Sequence, residues 1–282
     1  SLFYAEGQEN RRLYQRTFWL MQRGEKRELL FLTGTREEEK RMLRVHYGQQ
    51  LEELNKKLIE MGAYCEDCIS EVATALNKKK SKTEDSKTKE QAQIGLLNKV
   101  YNTDASIDQM ERDIETLCLK LLLQQQPVAG DLRLISAALK MISDMERIGD
   151  QCADIADIVR VLDDKNAFDL ESHVHIQDMA SATMKMVTAS VDSYVARNLA
   201  SARIVIQSDD EVDDLFDKVK REIVDLIAKY PEKGEALLDF LMIAKYFERI
   251  GDHATNVAEW VEFSITGEHQ AKTKYQNLST GI

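Results

Sequence analysis

A motif that occurs twice in the same orientation constrains the fold of this chain more than any other feature of the sequence. ERIGD spans residues 146–150 and again residues 248–252, 102 positions later. Earlier in each half, DASID at 104–108 corresponds to DDEVD at 209–213, at an offset of 105 positions. Two distinct motifs in the same order at nearly the same offset indicate an internal duplication. The sequence therefore predicts two structural units of similar build.

The second constraint is the scarcity of residues that make turns. The 282 residues include only 2 Pro and 12 Gly, which argues against an all-β fold. From Arg44 onward, apolar residues recur at intervals of three and four, the spacing of amphipathic helices. A stretch without apolar residues at 78–91 forms either a loop or a solvated helix end. Pro127, a turn at 163–166 and Pro231 break the pattern further. Beyond the first helix, the spacing predicts helices over about 94–126, 132–162, 171–199, 202–230 and 235–265.

These segments make six helices in two sets of three. The predicted fold class is all-α, with two tandem three-helix bundles related by the duplication. We place the first repeat at residues 44–165 and the second at residues 166–270, followed by a flexible tail at 271–282.

Residues 1–43 differ from the rest of the chain. They carry nine basic and seven acidic residues, and their aromatic residues follow neither helix nor strand periodicity. Glu37–Glu39 precede Met42, and Glu codons can spell a purine-rich ribosome-binding sequence. We therefore expect a mistranslated leader over residues 1–41, outside the fold, with a genuine N-terminal arm that docks a partner as the alternative. The intact mass of protein from its native source separates the two.

Net charge and composition limit the partners. The formal charge of −11 opposes general nucleic-acid binding, which needs a positive surface, and favours basic protein surfaces and metal cations. The chain has no apolar run of about 18 residues, so direct membrane insertion is not expected. Four cysteines and no recognisable secretion signal favour reduced thiols and a cytoplasmic protein.

Acidic residues recur at intervals of four in both repeats, which places them on one helix face. Such columns repel internally, so a positive partner is expected. Arg147 and Arg249 are one candidate, and hard cations held by carboxylate oxygens are the other. A solvated acidic face without any ligand is the simpler alternative. In the first repeat these residues are Glu146, Asp150 and Asp154 on one helix and Asp104 and Asp108 on its partner helix, together called the first column. In the second repeat they are Glu248, Asp252 and Asn256 on one helix and Asp209 and Asp213 on its partner helix, together called the second column.

Each ERIGD motif places a glycine inside a predicted helix, at Gly149 and Gly251. A glycine costs a helix about 1 kcal/mol relative to alanine. Its occurrence at equivalent positions in both repeats predicts that a neighbouring helix approaches the backbone closely there.

Other signals give little support for catalysis. Cys65-x-x-Cys68 reads as two residues on one helix, with a redox or metal pair as the alternative, and His173-x-His175 with Asp178 reads as a surface cluster or a metal site. No histidine follows a glutamate at the Glu-x-x-His spacing of ferritin-like di-iron enzymes, and no phosphate-binding loop is present. We therefore expect no enzyme. A metal-dependent hydrolase and a metal-free helical adaptor are the alternatives.

Residues 44–266 resemble the PhoU family of phosphate-uptake regulators. The resemblance is carried by QQPVA at 125–129, DLR at 131–133, DMERIGD at 144–150 and ERIGD at 248–252. It implies an all-α fold of two three-helix repeats, a homodimer, and one multinuclear metal cluster per repeat held through E/D-x-x-x-D motifs. The metal stays open among iron, manganese, magnesium and zinc. The first site would use Asp104, Asp108, Glu146, Asp150 and Asp154, and the second Asp209, Asp213, Glu248, Asp252 and Asn256.

The resemblance also implies a function. The chain would be a cytoplasmic negative regulator that restrains the phosphate ABC transporter and the phosphate-starvation response when phosphate is plentiful. Its implied partners are the ATPase subunit of the transporter and the phosphate-sensing histidine kinase. Asn256 stands where the first repeat has Asp154, so the two metal sites would differ in affinity. Residues 1–43 and the lysine-rich stretch 78–90 lie outside the family pattern.

Overall fold

The computed structural model describes residues 26–76, 86–125, 127, 129–164 and 174–268. Within these ranges the chain forms six α-helices and no strand. A short 3₁₀ turn, Pro231–Lys233, precedes the last helix. The helices are α1 (Lys26–Leu76), α2 (Ser86–Gln125), α3 (Ala129–Asp164), α4 (Ile176–Val195), α5 (Leu199–Lys229) and α6 (Gly234–Thr266). The all-α prediction is confirmed.

The helix boundaries follow the predicted breaks. Helix α2 ends at Gln125, directly before the Gln126-Pro127 pair, and Pro231 begins the 3₁₀ turn that separates α5 from α6. Helix α2 begins at Ser86, so part of the apolar-free stretch 78–91 is a helix end. Residues 165–173, which include part of the predicted turn and the predicted start of α4, lie outside the described residues.

The start of α1 differs from the sequence prediction. The apolar spacing indicates a helix from Arg44, but α1 begins at Lys26. Residues 26–43 are rich in Glu, Arg, Lys and Leu, which have high intrinsic helix propensity, so the helix needs no apolar stripe there. The structure divides into a unit of residues 1–52 and a unit of residues 53–282, and both acidic motifs belong to the second.

Helices α3 and α6, which carry the ERIGD motifs, pack extensively on each other. Helix α2 packs on α3, and α4 and α5 pack on α6 and on each other. The apolar seam of α3 is buried along its length, from Ile135 to Val159, and the seam of α6 is buried from Phe247 to Val261. Burial of these seams stabilises the two central helices and places the acidic column of each one at the edge of its seam.

Candidate functional site

The ERIGD glycines mark close helix contacts in both repeats. A Cβ atom added at Gly149 on α3 would lie 2.7 Å from Asp104 Oδ1 and 3.1 Å from Ile107 Cδ1 on α2. One added at Gly251 on α6 would lie 3.2 Å from Val212 Cγ1 on α5. Ile107 and Val212 occupy equivalent positions in the two repeats. The predicted close approach at both glycines is therefore confirmed.

Four of the five candidate ligands of the first repeat influence one another electrostatically. Asp104 Oδ1 is buried and has no hydrogen-bond partner. Burial, and after it the charges of Asp108, Asp150 and Asp154, together raise the pKa of Asp104 from its ordinary 3.8 to about 6. The α2–α3 contact thus gathers carboxylates whose mutual repulsion the chain leaves partly uncompensated.

Glu146 extends this cluster, and its surroundings include Glu111, which the sequence analysis did not identify. Burial and the charge of Asp150 raise the pKa of Glu146, Arg147 opposes them, and Glu111 and Asp108 raise it further. Glu111 on α2 also accepts a hydrogen bond from Ser143 Oγ on α3 at 3.1 Å. The signal for Glu111 was available in the sequence, because residues 104, 108 and 111 follow the i, i+4, i+7 spacing of one helix face.

Arginines offset part of the negative charge of the first repeat, as the sequence alternative proposed for Arg147. Arg147 Nη1 lies 3.1 Å from Asp150 Oδ2, and its Nε lies 3.6 Å from Glu146 Oε2. Arg112 Nη1 lies 3.8 Å from Asp108 Oδ2. Both arginines are more than half exposed, and ion pairs at such positions contribute at most about 1 kcal/mol. Neither one supplies a hydrogen bond to the buried oxygen of Asp104.

The second repeat arranges its column differently. Thr255 Oγ1 donates to Asp209 Oδ1 at 3.2 Å, and Lys245 Nζ donates to Glu248 Oε2 at 2.5 Å. Asn256 Nδ2 donates to Asp144 Oδ1 on α3 at 3.0 Å. Asn256 therefore contacts a carboxylate of the other repeat. Two further candidates of this column, Asp213 and Asp252, are half-buried on α5 and α6.

The contact between α3 and α6 links the two columns. Asp144 Oδ1 also lies 2.9 Å from His253 Nδ1. At the equivalent position of the second repeat, Tyr246 hydrogen-bonds Asp154, a candidate ligand of the first repeat, and burial followed by the charge of Asp154 raises the pKa of this tyrosine. Each acidic column therefore receives one polar contact from the opposite repeat.

Metal-ligand geometry is not formed in the described part of the chain, where no three His, Cys, Asp or Glu side chains converge on a common point. A cation at the first column would require its carboxylates to turn toward one another. Carboxylate oxygens are the ligands that hard cations prefer. The buried, unpartnered oxygen of Asp104 and the carboxylates around it thus fit a cation in their chemistry.

Among the described residues, the remaining sequence signals form no metal site. Cys65 and Cys68 are buried residues of α1 whose thiols donate to the carbonyls of Met145 and Val100, so the simpler interpretation of this pair is confirmed. His175 Nδ1 lies beside Glu222, while His173 falls outside the described residues. Among the described residues, no helix is long and apolar enough to span a membrane.

The electrostatics of the first column predict that the stability of the folded protein depends on pH. Between pH 4 and 6 the folded chain binds more protons at Asp104 than the unfolded chain, because folding raises this pKa, so stability falls as pH rises through that window. Asp104→Asn removes the charge. In chelator at pH 7.5 it should stabilise the protein by about 1 kcal/mol, a figure reduced for the partial exposure of the site.

Thermal unfolding at pH 7.5 and pH 4, both in chelator, measures this effect, and the advantage of Asp104→Asn should shrink at the lower pH. Asp113→Asn on the same helix is the control. A hydrogen bond from Gln109 lowers the pKa of Asp113, so its replacement should not stabilise the protein. A destabilised Asp104→Asn variant in chelator at pH 7.5 would contradict the repulsion described for this column.

Comparison with known proteins assigns the two repeats to one family. The PhoU domain model matches residues 58–159 and 176–261, one match on each repeat. A phosphate-specific transport system accessory protein PhoU homologue from Clostridium acetobutylicum is 34% identical over 228 residues, which cover 80% of this chain and 97% of that protein. A homologue of the same description from Pseudomonas aeruginosa is 31% identical and covers 78% of this chain and 86% of that protein.

Solved structures agree with this family assignment. The crystal structure of PhoU from Pseudomonas aeruginosa superposes with a TM-score of 0.67 at 30% identity, covering 79% of this chain and 100% of that one. The phosphate transport system regulatory protein PhoU from Streptococcus pneumoniae gives a TM-score of 0.65 over 80% of this chain and 99% of that one; at 24% identity, this second likeness supports the fold alone. The family model covers well over half of the chain, and with the curated relatives it shows that this chain belongs to the PhoU family.

Proposed function

We propose that this chain is a negative regulator of phosphate uptake and of phosphate-starvation signalling. The observation that carries the proposal is the match of both repeats to the PhoU domain, together with relatives described as accessory proteins of phosphate-specific transport systems. The alignments cover 97% and 86% of these two relatives, so we carry over to this chain the role of the whole relative.

The proposed regulator acts by contact with other proteins and catalyses no reaction. Its partners are the ATPase subunit of the phosphate ABC transporter and the phosphate-sensing histidine kinase, and both contacts require a cytoplasmic location. We further propose that it works as a homodimer, as the family resemblance implies. Sedimentation of the purified protein tests the dimer, and co-purification with the ATPase subunit tests the first contact.

A hard cation in the first repeat is the proposed structural element behind these contacts. Asp104 and Asp108 on α2 would hold it together with Glu146, Asp150 and Asp154 on α3. Its positive charge would offset the burial and the repulsion that raise the pKa of Asp104, and it would join α2 to α3. The buried oxygen of Asp104 without a hydrogen-bond partner supports this assignment. The surface that α2 and α3 offer to a partner would then depend on bound metal.

Deletion of the gene in the source organism tests the regulatory role. In phosphate-rich medium the deletion strain should take up radiolabelled phosphate several-fold faster than its parent, because the transporter loses its restraint. Expression of the wild-type chain from a plasmid should restore the parental rate, and the empty plasmid is the control. An uptake rate that does not change on deletion would contradict the proposal. A phosphatase assay on the purified, metal-loaded protein tests the hydrolase alternative.

A further inference from the structure

The two acidic columns occupy equivalent positions in the repeats, but different side chains surround them. Residue 111 of the first repeat corresponds to residue 216 of the second, and residue 143 corresponds to residue 245. These positions touch in both repeats: Ser143 donates to Glu111, and Lys245 Nζ lies 5.3 Å from the ring centroid of Phe216. The same contact therefore adds a carboxylate to the first column and an ammonium group to the second.

The ammonium group neutralises a candidate ligand directly. Lys245 Nζ donates to Glu248, which is mostly buried, whereas the serine at the equivalent position of the first repeat carries no charge. The cation that lies within ion-pair distance of Glu146, the equivalent of Glu248, is the exposed Arg147. A charge-assisted hydrogen bond from a lysine stabilises a carboxylate more strongly than contact with an exposed arginine does.

A second difference concerns the first aspartate of the motif that precedes each ERIGD, which is Asp104 in the first repeat and Asp209 in the second. Asp209 accepts a hydrogen bond from Thr255 Oγ1. Residue 153, which corresponds to Thr255, is alanine and has no side-chain donor. Asp104, which corresponds to Asp209, is the residue with a buried oxygen that accepts no hydrogen bond. The protein itself thus satisfies this oxygen in the second repeat and not in the first.

The third difference is the exchange of Asp154 for Asn256. The asparagine removes one negative charge, and its amide donates to Asp144, which also lies beside His253. Asp154 also takes part in a hydrogen bond between the repeats, with Tyr246, but it remains a carboxylate within electrostatic reach of Asp104. This position therefore makes a polar contact between the repeats in both columns, but it adds negative charge only to the first.

We infer that the chain carries a single hard-cation site, in the first repeat, and that the second column neutralises its own charge without a metal. The first column gathers six carboxylates once Glu111 is included, namely Asp104, Asp108, Glu111, Glu146, Asp150 and Asp154. The second holds four, and Lys245 and Thr255 already satisfy two of those. The partners of the first column are exposed arginines and neutral donors, and the buried oxygen of Asp104 accepts no hydrogen bond. More negative charge therefore remains in the first column, which favours it as the cation site. The inference rests on the metal binding proposed above and departs from the expectation of one cluster in each repeat.

Matched substitutions at equivalent positions test the inference. The full-length protein is freed of metal with chelator, supplied with Mn²⁺, desalted and analysed for bound manganese per chain, with Mn²⁺ titration calorimetry as the second readout. Asp150→Asn should weaken Mn²⁺ binding by about tenfold or more, because it removes a ligand. Asp252→Asn, its equivalent in the second repeat, should retain wild-type manganese content and affinity. Circular dichroism confirms that both variants are folded.

A gain-of-binding variant provides the converse test. Lys245→Ser with Asn256→Asp gives the second repeat two residues of the first, and this variant should bind more manganese per chain than the wild type. Equal losses from Asp150→Asn and Asp252→Asn would overturn the inference and leave the proposed metal binding intact. A wild-type chain that takes up no Mn²⁺ would overturn both.

Discussion

Replacement of Gly149 by leucine should destabilise the protein by about 3 kcal/mol, the upper part of the usual range for an overpacked core. The first atom of the new side chain would already lie 2.7 Å from Asp104 Oδ1 and 3.1 Å from Ile107 Cδ1. The carboxylate can turn away, but the rest of a leucine must still displace buried Ile107 or separate α2 from α3. Urea unfolding followed by circular dichroism measures the loss.

Gly95→Leu is the matched control, because it changes the same residue type in the interior of α2. A Cβ atom at Gly95 meets nothing within 4 Å. Leucine there should stabilise the helix by about 0.5–1 kcal/mol through its higher helix propensity alone. A similar change in stability for the two variants would show that the α2–α3 contact at Gly149 is looser than described.

The same substitution at Gly251 tests whether the two repeats pack alike. Its nearest neighbour is Val212 Cγ1, which belongs to a stiff, β-branched side chain in the core. Gly251→Leu should therefore cost a similar amount, although the chemistry beside this glycine differs. Equal costs would indicate that backbone packing is common to both repeats and that their difference lies in the polar side chains.

Much of this architecture could be predicted from the sequence, because apolar periodicity reports which face of a helix is buried. The seam from Ile135 to Val159 and the approach at Gly149 followed from spacing and from the cost of a helical glycine. Helix α1 was placed too late, because residues 26–43 have helix propensity without an apolar stripe. Periodicity detects amphipathic helices and misses helices that have none.

The polar contacts of the site were less predictable. The sequence placed Asn256 on the acidic column, and the structure directs its amide to Asp144 across the α3–α6 contact. A helical face is wide enough that a residue at its edge can meet either of two neighbouring helices. The choice between them depends on how α3 and α6 pack, which sequence spacing does not encode. Glu111 was missed for a different reason. Its spacing from residues 104 and 108 places it on the same helix face, but it lies outside the repeated motif.

The double variant Asp150→Asn with Asp252→Asn should lose its bound metal and its ability to regulate, while its helix content stays close to that of the wild type. Both residues are half-buried carboxylates on the central helices, and asparagine matches aspartate in size, so packing is preserved. Because the substitutions remove a candidate ligand from each repeat, the result does not depend on which repeat binds the cation. Elemental analysis, circular dichroism and co-purification with the transporter ATPase measure the three properties.

In cells, the same variant should fail to complement the deletion strain, so phosphate uptake in phosphate-rich medium should remain at the deletion level. Asp192→Asn with Asp225→Asn is the control, because it removes the same charge from exposed positions on α4 and α5 and should restore the parental rate. If the test variant loses its metal yet complements fully, regulation does not require the cation. The acidic faces would then act directly, as docking surfaces for basic patches on the partners, and the controlling property would be charge, which high salt screens.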